Sequence, residues 1–255
     1  MAVDQVSCRF SAGTLTAIVG PNGAGKTTYF NLISGQLKAS KGRVLLEGED
    51  LSALSAPLRA RRGLGRAFQL TQLFPQLSVI ENVRLAVQAR AQSQDRSKLA
   101  WLDLLSLWSD KKAWLEETEA LLAEVQLSAK SDLPAASLSH GDQRKLEVAL
   151  LMALKPKVYM FDEPTAGMSV DDVPIILELI RKLKRQSDRI ILLVEHKMDV
   201  VYQLADRIVV LHQGSLVADG APTDVMTSPI VREAYLGQNT GAPLSVSRQE
   251  PRSPK

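Results

Sequence analysis

Three short apolar runs rich in β-branched residues punctuate the chain: TLTAIVG (14–20), VYMFDEP (158–164) and RIILLVEH (189–196). Each ends on Gly, Pro or a charged residue, as strands buried in a parallel sheet do. Between them the spacing of apolar positions becomes helical. KTTYFNLISGQL (26–37) follows the first run, and DVPIILELIRKLKRQ (172–186) separates the second from the third. This alternation predicts an α/β fold, a parallel sheet with helices on its faces. Farther on, RIVVLHQGSLVADG (207–220) predicts two strands around the turn HQGS.

Residues 84–127 carry no strand signal and put Trp101, Leu104, Leu105 and Trp108 on one helical face, which predicts a mostly helical insertion. Packing onto neighbouring helices is the simplest account of that stripe; contact with a partner is the other. From Gln238 onward, QNTGAPLSVSRQEPRSPK has too little apolar content to fold and is expected to be disordered. No internal repeat is present.

Composition narrows the class. At 255 residues and 45% apolar content the chain can bury a substantial core. With 31 basic against 28 acidic residues and no dominant Lys/Arg block in any folded segment, charge does not favour nucleic acid as a partner. The single cysteine, Cys8, excludes an intramolecular disulfide and reads as a buried thiol. No stretch reaches the ~20 apolar residues of a membrane span, and Asp4 and Arg9 interrupt the N-terminus where a secretory signal would be apolar. The expectation is a cytoplasmic chain whose membrane role, if any, comes through a partner.

Candidate chemistry begins at GPNGAGKT (20–27), which follows a predicted strand and precedes a predicted helix. That is the context in which G-x-x-x-x-G-K-[ST] cradles phosphate. Glycines let backbone N–H groups face phosphate oxygens, and the helix N-terminus adds its dipole. The phosphate-binding set is Gly20, Pro21, Asn22, Gly23, Ala24, Gly25, Lys26, Thr27 and Thr28. Lys26 would reach the β and γ phosphates of a nucleotide, and the Thr27 hydroxyl would hold Mg2+. VYMFDE then delivers Asp162 and Glu163 at a strand's carboxyl end, where α/β sheets bind ligands. Asp162 would orient Mg2+ or its water, and Glu163 could polarise an attacking water.

With these motifs in hand, the chain resembles the nucleotide-binding subunits of ATP-binding cassette (ABC) transporters over about residues 3–237. Four further segments fall in that family's order: Gln69 in RAFQLTQLF, LSHGDQ (138–143), EPTAGMS after Glu163, and His196 in LLVEH. The resemblance implies a P-loop NTPase with an ABC-type RecA-like core, a small antiparallel β part and a helical insertion subdomain. It places the core at about 1–70 and 156–237 and the helical subdomain at about 71–155 within a single domain, 1–237, leaving 238–255 as a tail. It also implies roles. Gln69 would touch Mg2+ and the lytic water, and His196 would hydrogen-bond the γ-phosphate and that water. Residues 166–169 would lie at a subunit boundary. Ser139 and the backbone at Gly141, at a helix start, would cap ATP held by a second nucleotide-binding subunit, so that two composite sites form when the subunits close.

Three departures stand out. The family's adenine-stacking aromatic, one strand before the phosphate loop, has no counterpart in AVDQVSCRFSAG, and Phe10 lies too close to the loop to take that role. Either the chain starts late, which is the expectation, or it binds the base without stacking. His140 and Asp142 replace the family's Gly and Gln, and Ser169 replaces a common Asp. Asp142 is expected to face outward, away from the γ-phosphate.

Within the family, RAFQLTQLFPQLSVIENV, DEPTAGMSVDD, LLVEHKMDVV and PIVREAYLG resemble the ATPases of branched-chain or hydrophobic amino acid importers and their urea or amide relatives. That subgroup implies transmembrane permease subunits, a periplasmic solute-binding protein and a peripheral place on the cytoplasmic face of the inner membrane. A lipid or lipopolysaccharide exporter's ATPase shares parts of these stretches. A soluble ABC protein of DNA repair or translation usually has paired cassettes or a coiled-coil insertion, both absent here. A regulator without turnover would not need Glu163.

Overall fold

A computed structural model of the protein describes residues 2–67, 73–94, 106–229 and 231. The chain opens with β1 (Leu15–Val19), α1 (Lys26–Ser34), a two-stranded antiparallel ribbon of β2 (Leu45–Leu46) and β3 (Glu49–Asp50), α2 (Ala56–Arg61) and β4 (Leu64–Ala67). Then come the helices α3 (Val79–Gln94), α4 (Ser106–Glu124) and α5 (His140–Leu154). The rest alternates: β5 (Val158–Asp162), α6 (Val173–Lys184), β6 (Ile190–Val194), α7 (Met198–Leu204), β7 (Arg207–His212), β8 (Ser215–Gly220) and α8 (Pro222–Thr227).

Six strands form one sheet in the order β4-β5-β6-β1-β7-β8, parallel except for the β7–β8 hairpin. The predicted parallel runs are present, shortened by a residue or two at their ends, and the hairpin spans the predicted 207–220. The edge strand β4, LGRA, was not predicted. Four residues with a glycine and a charge carry too little apolar signal, and only pairing with β5 defines them as a strand.

Strand alternation assigns the two faces. Val158 and Met160 of β5, with Ile18, Leu192 and Val194, pack against Tyr29 and Phe30 of α1. Tyr159 and Phe161 face the other way, joining Leu146 and Ala149 of α5, Ile176 and Ile180 of α6, and through them Val83 and Val87 of α3 and Leu121 and Leu122 of α4. Asp162 follows the Met160 alternation and is thereby turned toward the α1 face.

Local capping explains how the helices begin. Ser78 and Glu81 form a reciprocal cap on α3: the Ser78 amide and hydroxyl each donate to Glu81 Oε2 at 2.8 Å. Buried Asn82 closes the preceding turn, donating to the Phe74, Leu77 and Ser78 carbonyls and accepting from the Phe74 amide. Arg90 of α3 pairs bidentately with Glu117 of α4, at 2.9 and 2.6 Å, and donates to the Ala153 carbonyl of α5 at 2.8 Å.

Cys8 is half-buried rather than buried. It packs beside Tyr29, and burial raises its thiol above the ordinary value. Trp101, Leu104, Leu105 and the tail from Gln238 lie outside the described residues, as does the side chain of Trp108. Among the described residues no helix is long and apolar enough to cross a membrane.

Candidate functional site

The phosphate loop, Gly20–Thr27, joins β1 to α1 at the carboxyl end of the sheet. Gly20 is required by close approach, since a Cβ there would lie 2.1 Å from the Leu211 carbonyl oxygen. Gly25 caps α1 with φ +98, a left-handed conformation that favours glycine. No side chain caps α1 and its first turn holds no acid. Its leading N–H groups are therefore left for an anion. Lys26 folds back over the loop, its Nζ donating to the Gly20 carbonyl at 2.7 Å and the Pro21 carbonyl at 3.0 Å. Burial lowers this amine's pKa, with Glu163 and Asp162 opposing. Thr27 is exposed beside it.

Strand order brings the other groups here. β5, β6 and β1 are consecutive neighbours, and Asp162 and Ile18 both pair with Val194 of β6, so all three strands end at one level. Asp162 ends β5, 5% exposed, with Arg66 Nη2 donating to its Oδ2 at 2.7 Å. Burial pushes its carboxyl above the usual carboxylate range despite Arg66. Glu163 takes φ +53, a left-handed conformation that costs a non-glycine residue roughly 1–3 kcal/mol. Its amide donates to the Val194 carbonyl at 2.9 Å, and its Oε1 lies 2.8 Å from His196 Nε2. The predicted acid and histidine are thus in direct contact.

Glu195, missed by the sequence reading, holds this pair in place. Only 3% exposed, its carboxylate accepts from the Thr165 hydroxyl at 2.6 Å and the Thr165 amide at 3.2 Å, and from the His196 amide at 3.0 Å. One buried acid therefore ties the turn after Glu163 to the turn carrying His196. A charged residue directly after an apolar strand was the only available signal. Gln69 lies outside the described residues.

LSHGDQ opens α5. Ser139 is the N-cap, its Oγ accepting from the Asp142 amide at 3.2 Å and donating to Asp142 Oδ2 at 2.9 Å. The expectation that Asp142 faces outward is wrong. It is 6% exposed and lies between Lys145, 3.3 Å away, and Lys130. Two cations make an inward carboxylate favourable here: burial raises its pKa, but bonds from Lys130, Ser139 and Lys145 outweigh that and hold it below the usual range. Lys145 also pairs with Asp172 at 2.5 Å, and Asp172 Oδ2 accepts from Ser169 at 2.7 Å. Gly141 allows this approach, because its Cβ would lie 2.6 Å from Asp172 Oδ2. Among the described residues no hydrogen bond or ion pair joins 138–143 to 20–28.

Phe10 stacks under the Arg207 guanidinium, 5.9 Å from its ring centroid. Arg207 pairs in register with Thr16, at the amino end of β1 and opposite the phosphate loop. The geometry agrees with leaving Phe10 out of base binding.

The ABC transporter family model matches residues 3–166. The high-affinity branched-chain amino acid transport ATP-binding protein LivG of Escherichia coli (strain K12) is 36% identical over 241 residues, covering 93% of this chain and 92% of LivG. Its counterpart BraF of Pseudomonas aeruginosa is 34% identical over 238 residues, with the same coverages. The lipopolysaccharide export system ATP-binding protein LptB of Acidithiobacillus ferridurans is 33% identical over 237 residues, 93% of this chain and 91% of LptB. Among solved structures, an ATP-binding cassette of an ABC transporter in its ADP conformation superposes with a TM-score of 0.74 at 29% identity, covering 92% of each chain.

Proposed function

Because the chain belongs to the ABC transporter family, we propose that it is the subunit that binds and hydrolyses ATP to energise solute uptake across a membrane. Branched-chain or other hydrophobic amino acids are the proposed solutes. One observation carries the ATPase reading: Lys26, Asp162, Glu163 and His196 converge at the carboxyl ends of three adjacent strands, beside a helix N-terminus with no side-chain cap. The likeness to LivG and BraF supports the solute class.

In this reading the phosphates of ATP lie along the amides of 20–28, and Lys26 leaves its loop carbonyls to pair with them. Mg2+ prefers oxygen ligands, and Thr27 and Asp162 offer a hydroxyl and a buried carboxylate at the loop, with Gln69 as a third candidate. Bound there, the ion would offset phosphate charge. Glu163 accepts a proton from the attacking water, and His196, whose Nε2 lies 2.8 Å from Glu163 Oε1, hydrogen-bonds the γ-phosphate and that water. Ser139 and the Gly141 amide serve ATP on a second nucleotide-binding subunit, which agrees with the lack, among the described residues, of any hydrogen bond or ion pair from 138–143 to this chain's own phosphate loop. We assign the RecA-like core to about 1–70 and 156–237 and the helical subdomain to about 71–155. The protein would act peripherally on the cytoplasmic face of the membrane, docked on permease subunits and served by a periplasmic binding protein.

The test is Glu163→Gln. It should retain ATP binding, slow turnover by roughly 10²–10⁴-fold, and double the mass in light scattering when ATP is present. Turnover at the wild-type rate would remove Glu163 from the role. The likeness to LptB favours a second reading, lipopolysaccharide export. Co-purification from membranes separates the two: a permease accompanied by a periplasmic binding protein means import.

A further inference from the structure

Arg66 belongs to β4, and its register partner on β5 is Met160, two residues before Asp162 on the same face. Its guanidinium donates to Asp162 Oδ2 at 2.7 Å, Asn31 Oδ1 at 2.6 Å, Gln36 Oε1 at 2.9 Å and Ser34 Oγ at 3.0 Å. It also lies over the Phe30 ring, 5.5 Å from the centroid. The side chains of Arg66 and Asp162 are 8% and 5% exposed, so this is a buried ion pair. Such a pair is held by geometry and by the additional hydrogen bonds that satisfy the charge, and here α1 supplies two of them, from Asn31 and Ser34, with Gln36 just beyond its end adding a third. The helix that carries Lys26 and Thr27 therefore also fixes the cation facing Asp162.

We propose that Arg66 is the resident counter-cation of Asp162, with which Mg2+ must compete for the carboxylate, and that it thereby sets the preference for Mg2+-bound over metal-free ATP. The inference rests on the ATPase reading above. A carboxylate oxygen already accepting a guanidinium proton at 2.7 Å is a weaker ligand for Mg2+, which demands oxygens at about 2.0–2.1 Å in near-octahedral array. The fixed positive charge also repels the ion across a few ångströms of low dielectric. Without nucleotide, Arg66 keeps Asp162 from standing as a buried unpaired charge. With nucleotide, part of the ion's binding free energy is used in loosening that pair.

The experiment compares wild type with Arg66→Met for binding of a fluorescent ATP analogue, in excess Mg2+ and in EDTA. Removing the competitor should raise the ratio of the two affinities by about tenfold. A ratio that is unchanged, or that falls, overturns the proposal. If the wild type binds no analogue under either condition, the ATPase reading fails first. If it binds and prefers Mg2+ while Arg66→Met behaves identically, only the role of Arg66 fails. The wild-type chain provides a second measurement should the variant not fold. The Arg66 Nε–H resonance, assigned by its absence in Arg66→Lys, should move when Mg2+ is added to the ATP-loaded protein and stay in place with ATP and EDTA. A resonance indifferent to Mg2+ overturns the proposal as well.

Discussion

Asp142→Asn tests whether the start of α5 is held by charge. Asparagine keeps the size and can still accept from the Ser139 hydroxyl, so the substitution removes chiefly the two ion pairs. These are unequal. The Lys130 side chain is 45% exposed and its pairing is screened, contributing about 0.5 kcal/mol. Lys145 and Asp142 are each 8% exposed, and removing one partner of a buried pair costs about 3–5 kcal/mol when the other charge is stranded. Lys145 is not stranded, because Asp172 remains at 2.5 Å. The net loss is then about 2 kcal/mol, or about 4–8 °C in Tm for a chain of this size. The pH dependence follows from the direction of the shift. A carboxyl held below its ordinary pKa adds stability above the unfolded value and loses it as pH falls through the folded one. The gap between wild type and variant should be full at pH 7 and narrow below about pH 4. Circular dichroism melts at pH 7 and in a descending acid series measure both effects. A variant melting within about 1 °C of wild type at pH 7, or a gap that stays constant into acid, would refute the inward, doubly paired carboxylate.

Lys26→Ala should abolish binding of a fluorescent ATP analogue while leaving the melting temperature near wild type, because the amine's present partners are loop carbonyls that water can satisfy; undiminished binding would contradict the phosphate-loop assignment. Glu117→Gln addresses the three-helix junction. Arg90, and after it Lys155, hold the Glu117 carboxyl down to about 2 against its partial burial, so its contribution is present at neutral pH and lost as pH falls from about 5 toward 2. The variant should be about 2 kcal/mol less stable at pH 7, allowing for partial exposure, and urea unfolding at pH 7 and pH 3 should show the difference shrinking.

Much of the fold was legible because its signals are local. β1, β5, β6 and the β7–β8 hairpin were located to within a residue or two, since each is a continuous apolar run closed by a turn residue or a charge. The phosphate loop was read from glycine spacing between a strand and a helix, and Gly20 and Gly25 occupy backbone positions that other residues would strain or fill. β4 was missed because LGRA owes its strand character to its neighbour. Glu195 was passed over beside His196, because its partner Thr165 is thirty positions away in the chain. Asp142 was assigned the wrong direction because the two lysines that make burial favourable are not visible in LSHGDQ: Lys130 precedes the motif across a turn, and Lys145 is one helical turn further along.

By itself the sequence determined the apolar strands and the helices between them, the glycine spacing of one loop suited to cradling phosphate, and which residue types stand at the strand ends. Those properties depend on backbone conformation and on side-chain periodicity over a few residues. Tertiary structure decided which of those ends meet. Placing β6 between β5 and β1 sets His196 against Glu163 and brings Glu163 and Asp162 near Lys26, and pairing β4 with β5 lays Arg66 on Asp162. The Arg66–Asp162 and His196–Glu163 contacts, at 2.7 and 2.8 Å, join residues 96 and 33 positions apart, and strand order and register create them where no local pattern can.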